Sequence, residues 1–123
     1  MPVQTLDHYN IETVQLEQTV NFYIDVLDMT LGDRPPLDIP GAWLCASGHP
    51  CIHVNEVTTS REGPTGPIDH VAFEATDIDL IVTNLQRLDI KYEYVDSRPR
   101  LPLQQIYISD PNGIKIELNI RGD

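Results

Sequence analysis

Apolar and polar residues change their period along this chain in a set order, and the order occurs twice. Residues 5–12 alternate, with Tyr9 and Ile11 on one side and His8, Asn10 and Glu12 on the other, as a half-buried strand requires. From about 15 to 27 the period lengthens, with Leu16, Val20, Tyr23 and Leu27 at helical spacing. This predicts an amphipathic helix, with Thr13 placed to cap it. Residues 29–33 predict a short strand, and Pro35, Pro36, Pro40 and Gly41 a loop. Residues 42–47 and 51–57 then predict a hairpin turning at Gly48-His49-Pro50. In its second strand Ile52 and Val54 share one face, and Cys51, His53 and Asn55 the other.

The second half follows the same plan. A strand is predicted at 68–75 and a helix at about 77–88, capped by Asp77 and carrying Ile78, Ile81, Val82, Leu85 and Leu88 on one stripe. Strands follow near 90–96, 104–109 and 113–120, the last two joined by the turn sequence Asp110-Pro111-Asn112-Gly113. Beyond that turn Ile114, Ile116, Leu118 and Ile120 line one face, while Lys115, Glu117 and Asn119 line the reverse.

The halves also repeat residue by residue. Leu6-Asp7-His8-Tyr9-Asn10-Ile11-Glu12 returns as Ile68-Asp69-His70-Val71-Ala72-Phe73-Glu74. Further on, Arg34-Pro35 returns as Arg98-Pro99, Trp43 as Tyr107, and Ile52-His53-Val54 as Ile116-Glu117-Leu118. A repeat of this size makes each half one supersecondary unit, too small to bury a core alone. The expectation is therefore an α+β fold in one domain: module one at about 4–57, a linker at about 58–66 and module two at about 67–121. In each module the helix covers the apolar face of a mixed sheet, and the sheets curl so that their uncovered faces form a trough.

That uncovered face carries His8, His53, His70 and Glu117. A lone histidine on an amphipathic strand is usually a hydrogen-bonded surface residue, but recurrence at matching positions points to a common task. Imidazole and carboxylate together suit Zn, Ni, Fe, Mn or Co as divalent ions, and two His with one carboxylate is also the set of non-haem iron oxygenases. His8, His70, Glu117 and His53 are thus the candidate metal ligands. Arg98 and Arg100, with Arg34, lie in repeated loops where they can hold a substrate carboxylate, and surface solvation accounts for them equally well. Gln105, Tyr107 and Asn10 are placed to line a pocket; core packing accounts for Tyr107 and Trp43 equally well. Asp7 and Asp69 read as anchors of strand starts, and His49 as a surface residue.

Composition narrows the partners. Nineteen acidic against eight basic residues give a formal charge of −11, which repels nucleic acid. No stretch approaches the roughly 18 apolar residues that span a bilayer, and the first residues do not resemble an export signal. A soluble cytoplasmic protein acting on a small molecule is expected, with Cys45 and Cys51 as free thiols.

Leu6-Asp7-His8, Phe22-Tyr23-Ile24-Asp25-Val26-Leu27, Ile68-Asp69-His70-Val71-Ala72-Phe73 and Asp110-Pro111-Asn112-Gly113-Ile114-Lys115-Ile116-Glu117-Leu118 together resemble the vicinal oxygen chelate superfamily. That superfamily includes glyoxalase I, fosfomycin- and bleomycin-resistance proteins and extradiol dioxygenases. The resemblance implies paired βαβββ modules around a divalent metal held by His8, His70 and Glu117, and a homodimer whose subunits can share a site. It also implies a reaction in which neighbouring substrate oxygens chelate the metal. His53 stands where glyoxalase I has a glutamate, and since that family moves protons with groups beside the metal, the resemblance makes Glu117 and His53 the candidates for this, an imidazole being suited to it near neutral pH. The leading expectation is a lyase or isomerase of the glyoxalase type. The alternatives are an Fe(II) ring-cleavage dioxygenase and a metal-free protein that binds a small ligand, as bleomycin-resistance proteins do.

Overall fold

The computed structural model describes residues 2–61, 63 and 65–122, so two positions of the expected connector, 62 and 64, lie outside the described residues. The chain divides into two compact units, one up to residue 62 and one from residue 63. The first contains β1 (Tyr9–Thr13), α1 (Leu16–Leu27), β2 (Thr30–Leu31), β3 (Gly41–Ala46) and β4 (His49–Glu56). Its sheet runs β1-β4-β3-β2, with β1 parallel to β4 and the other pairs antiparallel. The second contains β5 (Val71–Ala75), α2 (Ile78–Arg87), β6 (Glu93–Asp96), β7 (Leu103–Ser109) and β8 (Lys115–Arg121). Its sheet order, β5-β8-β7-β6, is the same order again. The α+β class and the tandem βαβββ plan expected from the sequence are what the chain adopts.

The alternation in β4 and β8 separates the faces as read. Ile52 and Val54 are fully buried while Cys51, His53 and Asn55 are half-buried, and Ile116 and Leu118 are buried while Glu117 and Asn119 are only partly covered. In the first unit α1 packs on β3 and β4 and turns Tyr23 and Thr19 inward. Leu44, Ile52 and Val54 complete that core; Leu85, Ile106, Ile116 and Leu118 form the core of the second unit.

Several boundaries differ from expectation, each for a local reason. The strands expected at 5–12 and 68–75 begin only at Tyr9 and Val71. Extending β1 backward along its register would bring Asp7 opposite Pro50, which has no N–H to give. Extending β5 backward would bring Asp69 opposite Ile114, whose N–H donates to the Asp110 carboxylate and whose carbonyl accepts from the Asp110 N–H. His8 and His70 therefore both stand just ahead of a strand. Thr13 is not the helix cap but the last residue of β1. Its Oγ1 accepts from the Gln15 N–H at 3.0 Å and pairs with the buried Thr19 hydroxyl at 3.1 Å, while Gln15 occupies the cap position but its side chain does not cap the helix. The hairpin turns at Ser47-Gly48, both at positive φ, and not at Gly48-His49-Pro50; two left-handed residues give the tight turn that matches strand twist. His49 and Pro50 consequently belong to β4.

Asp77 caps α2 as expected, its carboxylate accepting from the Leu80 N–H at 3.3 Å. Asp77→Ala should cost about 1 kcal/mol by removing that acceptor, read as a lower denaturant midpoint with unchanged slope.

Candidate functional site

In the first unit the candidate residues form a stack of rings. His53 on β4 lies opposite Trp43 on β3, and the two rings stack with centroids 4.2 Å apart and planes 7° from parallel. On its other side His53 stacks on His8 at 3.7 Å and 15°. Burial, and then the neighbouring His8, push the His53 imidazole below its ordinary value, with Asp7 opposing. The unfolded chain then binds a proton that the folded chain refuses, so stability rises with pH and falls as pH drops through about 6.5, the ordinary imidazole value. An NMR titration of the His53 ring should give a midpoint below that value, and His53→Gln should remove this part of the acid sensitivity of unfolding. A midpoint above it would contradict the desolvated stack.

His8 Nδ1 donates to the carboxylate of Asp7 at 2.6 Å, and His49 Nε2 donates to the Asp7 carbonyl at 2.6 Å. Asp7 thus holds His8 from one residue away, and that hydrogen bond keeps its own carboxyl below the ordinary range. Asn10 accepts from Asn55 at 3.3 Å, and Asn55 in turn accepts from Arg34 at 3.4 Å.

The second unit repeats the device with different neighbours. His70 Nδ1 donates to Asp69 at 2.8 Å, which together with Lys115, 3.8 Å away, keeps the Asp69 carboxyl low. The other ring nitrogen, Nε2, faces Glu117 Oε1 at 3.5 Å. Where His53 has Trp43 directly across the strands, Glu117 has Tyr107. Burial pushes the Glu117 carboxyl up, but hydrogen bonds from Asn119, at 2.9 Å, and from Tyr107 outweigh it and leave it below its ordinary value. Burial and the bond to Glu117 push the Tyr107 hydroxyl up, so it stays a donor. Gln105 donates to Asn119 at 3.0 Å, completing a relay that ends on Glu117.

This geometry fits one role for a metal and limits it. With Nδ1–H committed to Asp69, a neutral His70 directs the Nε2 lone pair at a carboxylate oxygen, and the two repel unless a proton or a cation lies between them. The pair is therefore two donors suited to a divalent ion. Among the described residues no group of three or more His, Cys, Asp or Glu side chains is disposed to hold a metal ion.

Of the residues expected to meet substrate, Gln105 and Tyr107 lie in the relay to Glu117 and Asn10 lies beside Asn55. Arg98 is taken up by Asp96, with Nε–Oδ1 at 2.9 Å and a second bond at 3.0 Å, and Arg100 is exposed in the segment between β6 and β7. Asp7 and Asp69, read from the sequence as strand anchors, are instead the partners that fix the histidines. The signal was present in the sequence as an Asp-His pair written twice. Asn119 had no signal beyond its face on the last strand.

The family model of the Glyoxalase/Bleomycin resistance protein/Dioxygenase superfamily matches residues 5–118. The protein YaeR of Escherichia coli is 28% identical over 104 residues, covering 79% of this chain and 81% of its own. Among solved structures, a variant of the fosfomycin resistance protein FosX from Listeria monocytogenes, complexed with Mn(II) and 1S,2S-dihydroxypropylphosphonic acid, is similar at 17% identity. It has a TM-score of 0.77 and covers 97% of this chain and 93% of that one. TnmS3, an antibiotic binding protein from a Streptomyces species, is similar at 19% identity and a TM-score of 0.71, covering 99% of each chain. With a repeated βαβββ unit and a family match over nearly its whole length, the chain belongs to the glyoxalase/bleomycin resistance protein/dioxygenase superfamily.

Proposed function

We propose that the protein is a divalent-metal-dependent enzyme of the glyoxalase type, a lyase or isomerase acting on a small molecule with two neighbouring oxygens. His70 and Glu117, and in the first unit His8 and His53, are the candidate ligands. The observation that carries this reading is the Asp69-held His70 with Nε2 turned to Glu117 Oε1 at 3.5 Å. FosX, solved with Mn(II), supports a divalent ion in a fold of this kind. Bound there, a divalent ion supplies Lewis acidity, stabilising negative charge on substrate oxygens by several kcal/mol.

The residues of the chain do the rest. Asp69 fixes the His70 ring so that one nitrogen faces outward, and Asn119 and Tyr107 hold the Glu117 carboxylate ionised and oriented. His53, held below its ordinary value by burial and by His8, is a candidate base near neutral pH. Homodimerisation in the cytoplasm belongs to the same proposal; sedimentation velocity checks the assembly.

A second reading, a metal-free binder of a small ligand, is favoured by the ring stack of Trp43, His53 and His8 and by the lack of a three-donor group among the described residues. Elemental analysis of protein purified without chelator separates the two. A divalent metal near one per chain is expected. Metal-free protein that also fails to take up Mn²⁺, Ni²⁺, Zn²⁺, Co²⁺ or Fe²⁺ on reconstitution would leave the binder.

A further inference from the structure

The ring stack of the first unit stops short at one end. Across the sheet, His53 on β4 is followed by Trp43 on β3, and the next position belongs to Gly32, whose N–H donates to the Trp43 carbonyl at 2.9 Å. A glycine there brings no side chain to cover the second face of the indole. Beside it lies a cavity of about 400 Å³ bordered by Leu31, Gly32, Asp33, Trp43, Cys45 and Pro50. The two histidines of the stack, His53 and His8, do not border it. Cys45 takes the space over residue 32: a Cβ there would stand 2.7 Å from Cys45 Sγ and 3.7 Å from Trp43 Cβ.

We propose that this cavity is a binding slot for a planar aromatic or heteroaromatic ring, neutral or cationic, which takes the next place in the stack against Trp43. Aromatic faces attract flat π-systems and cations, and Leu31 and Pro50 offer apolar edges to a ring. Asp33 in the lining and the formal charge of −11 select against anions. None of the candidate metal donors lines the slot, although one of them, His53, stacks on Trp43.

Trp43 is the only tryptophan, which makes its fluorescence a direct reporter. Titrations in the presence of a chelator would use quinoline, N-methylquinolinium, quinoline-2-carboxylate and decahydroquinoline, the last a saturated, non-planar control. Saturable quenching is expected with the first two, with binding of the carboxylate weaker by about tenfold, or about 1.4 kcal/mol, and none with the saturated ring. Asp33→Asn should weaken N-methylquinolinium and leave quinoline unchanged. Cys45→Ala relieves the crowding at residue 32, so Gly32→Val with Cys45→Ala should lose about tenfold for both rings while Cys45→Ala alone retains them. Linear, unsaturated quenching, or equal response to the flat and saturated rings, overturns the proposal even if the double variant fails to fold. Because chelator is present throughout, a negative result here leaves the cation proposal standing, and a metal-free protein leaves the slot standing.

Discussion

His70→Ala is expected to strip the protein of bound divalent metal while leaving its thermal stability nearly unchanged. The His70 side chain is 37% exposed, so truncation opens no core cavity and removes little packing. What it removes is the ring nitrogen that faces Glu117. Asp69→Asn should give a graded version. It keeps the shape but weakens the partner that orients the ring, and loss of such support typically lowers metal affinity by about 10–100-fold. The pair is to be checked by elemental analysis and by competition with a chromophoric chelator. Wild-type stoichiometry and affinity in both variants would remove His70 from the ligand set.

The largest loss of stability is expected from Leu85→Ala, at about 2–5 kcal/mol. Leu85 is the one residue of α2 with no exposed surface, and shortening it leaves a void as well as lost transfer energy. Leu80→Ala in the same helix, at a position 65% exposed, should change stability by less than about 0.5 kcal/mol. Chemical denaturation of both variants decides the matter: equal midpoints would mean that α2 is not anchored through Leu85.

Much of the fold was legible because the period of apolar residues carries both the element type and its buried face. The parity of Ile52 and Val54, and of Ile116 and Leu118, placed His53 and Glu117 on the opposite face correctly. Strand ends were less legible. Whether β1 reaches His8 depends on what β4 offers opposite, and Pro50 lies 37 to 41 residues along the chain from the strand it stops. The hairpin turn was misplaced because Ser47 accepts a left-handed backbone that its letter does not advertise. For the candidate site, the residue types were visible from repetition. Their partnerships required register: only the alignment of β3 with β4 puts Trp43 against His53, and only that of β7 with β8 puts Tyr107 against Glu117. Arg98, read as able to hold a substrate carboxylate, bonds to Asp96 two residues away, a local pairing that a loop sequence does not reveal.

The histidines that precede β1 and β5 lie outside the backbone ladder, so the pleat does not aim their rings. An adjacent carboxylate does, which makes their aim an ionic latch and uncouples it from how firmly the strands are bonded. Heating that spares the sheets should spare the latch. Acid, below the range where ordinary carboxylates titrate, should release both imidazoles.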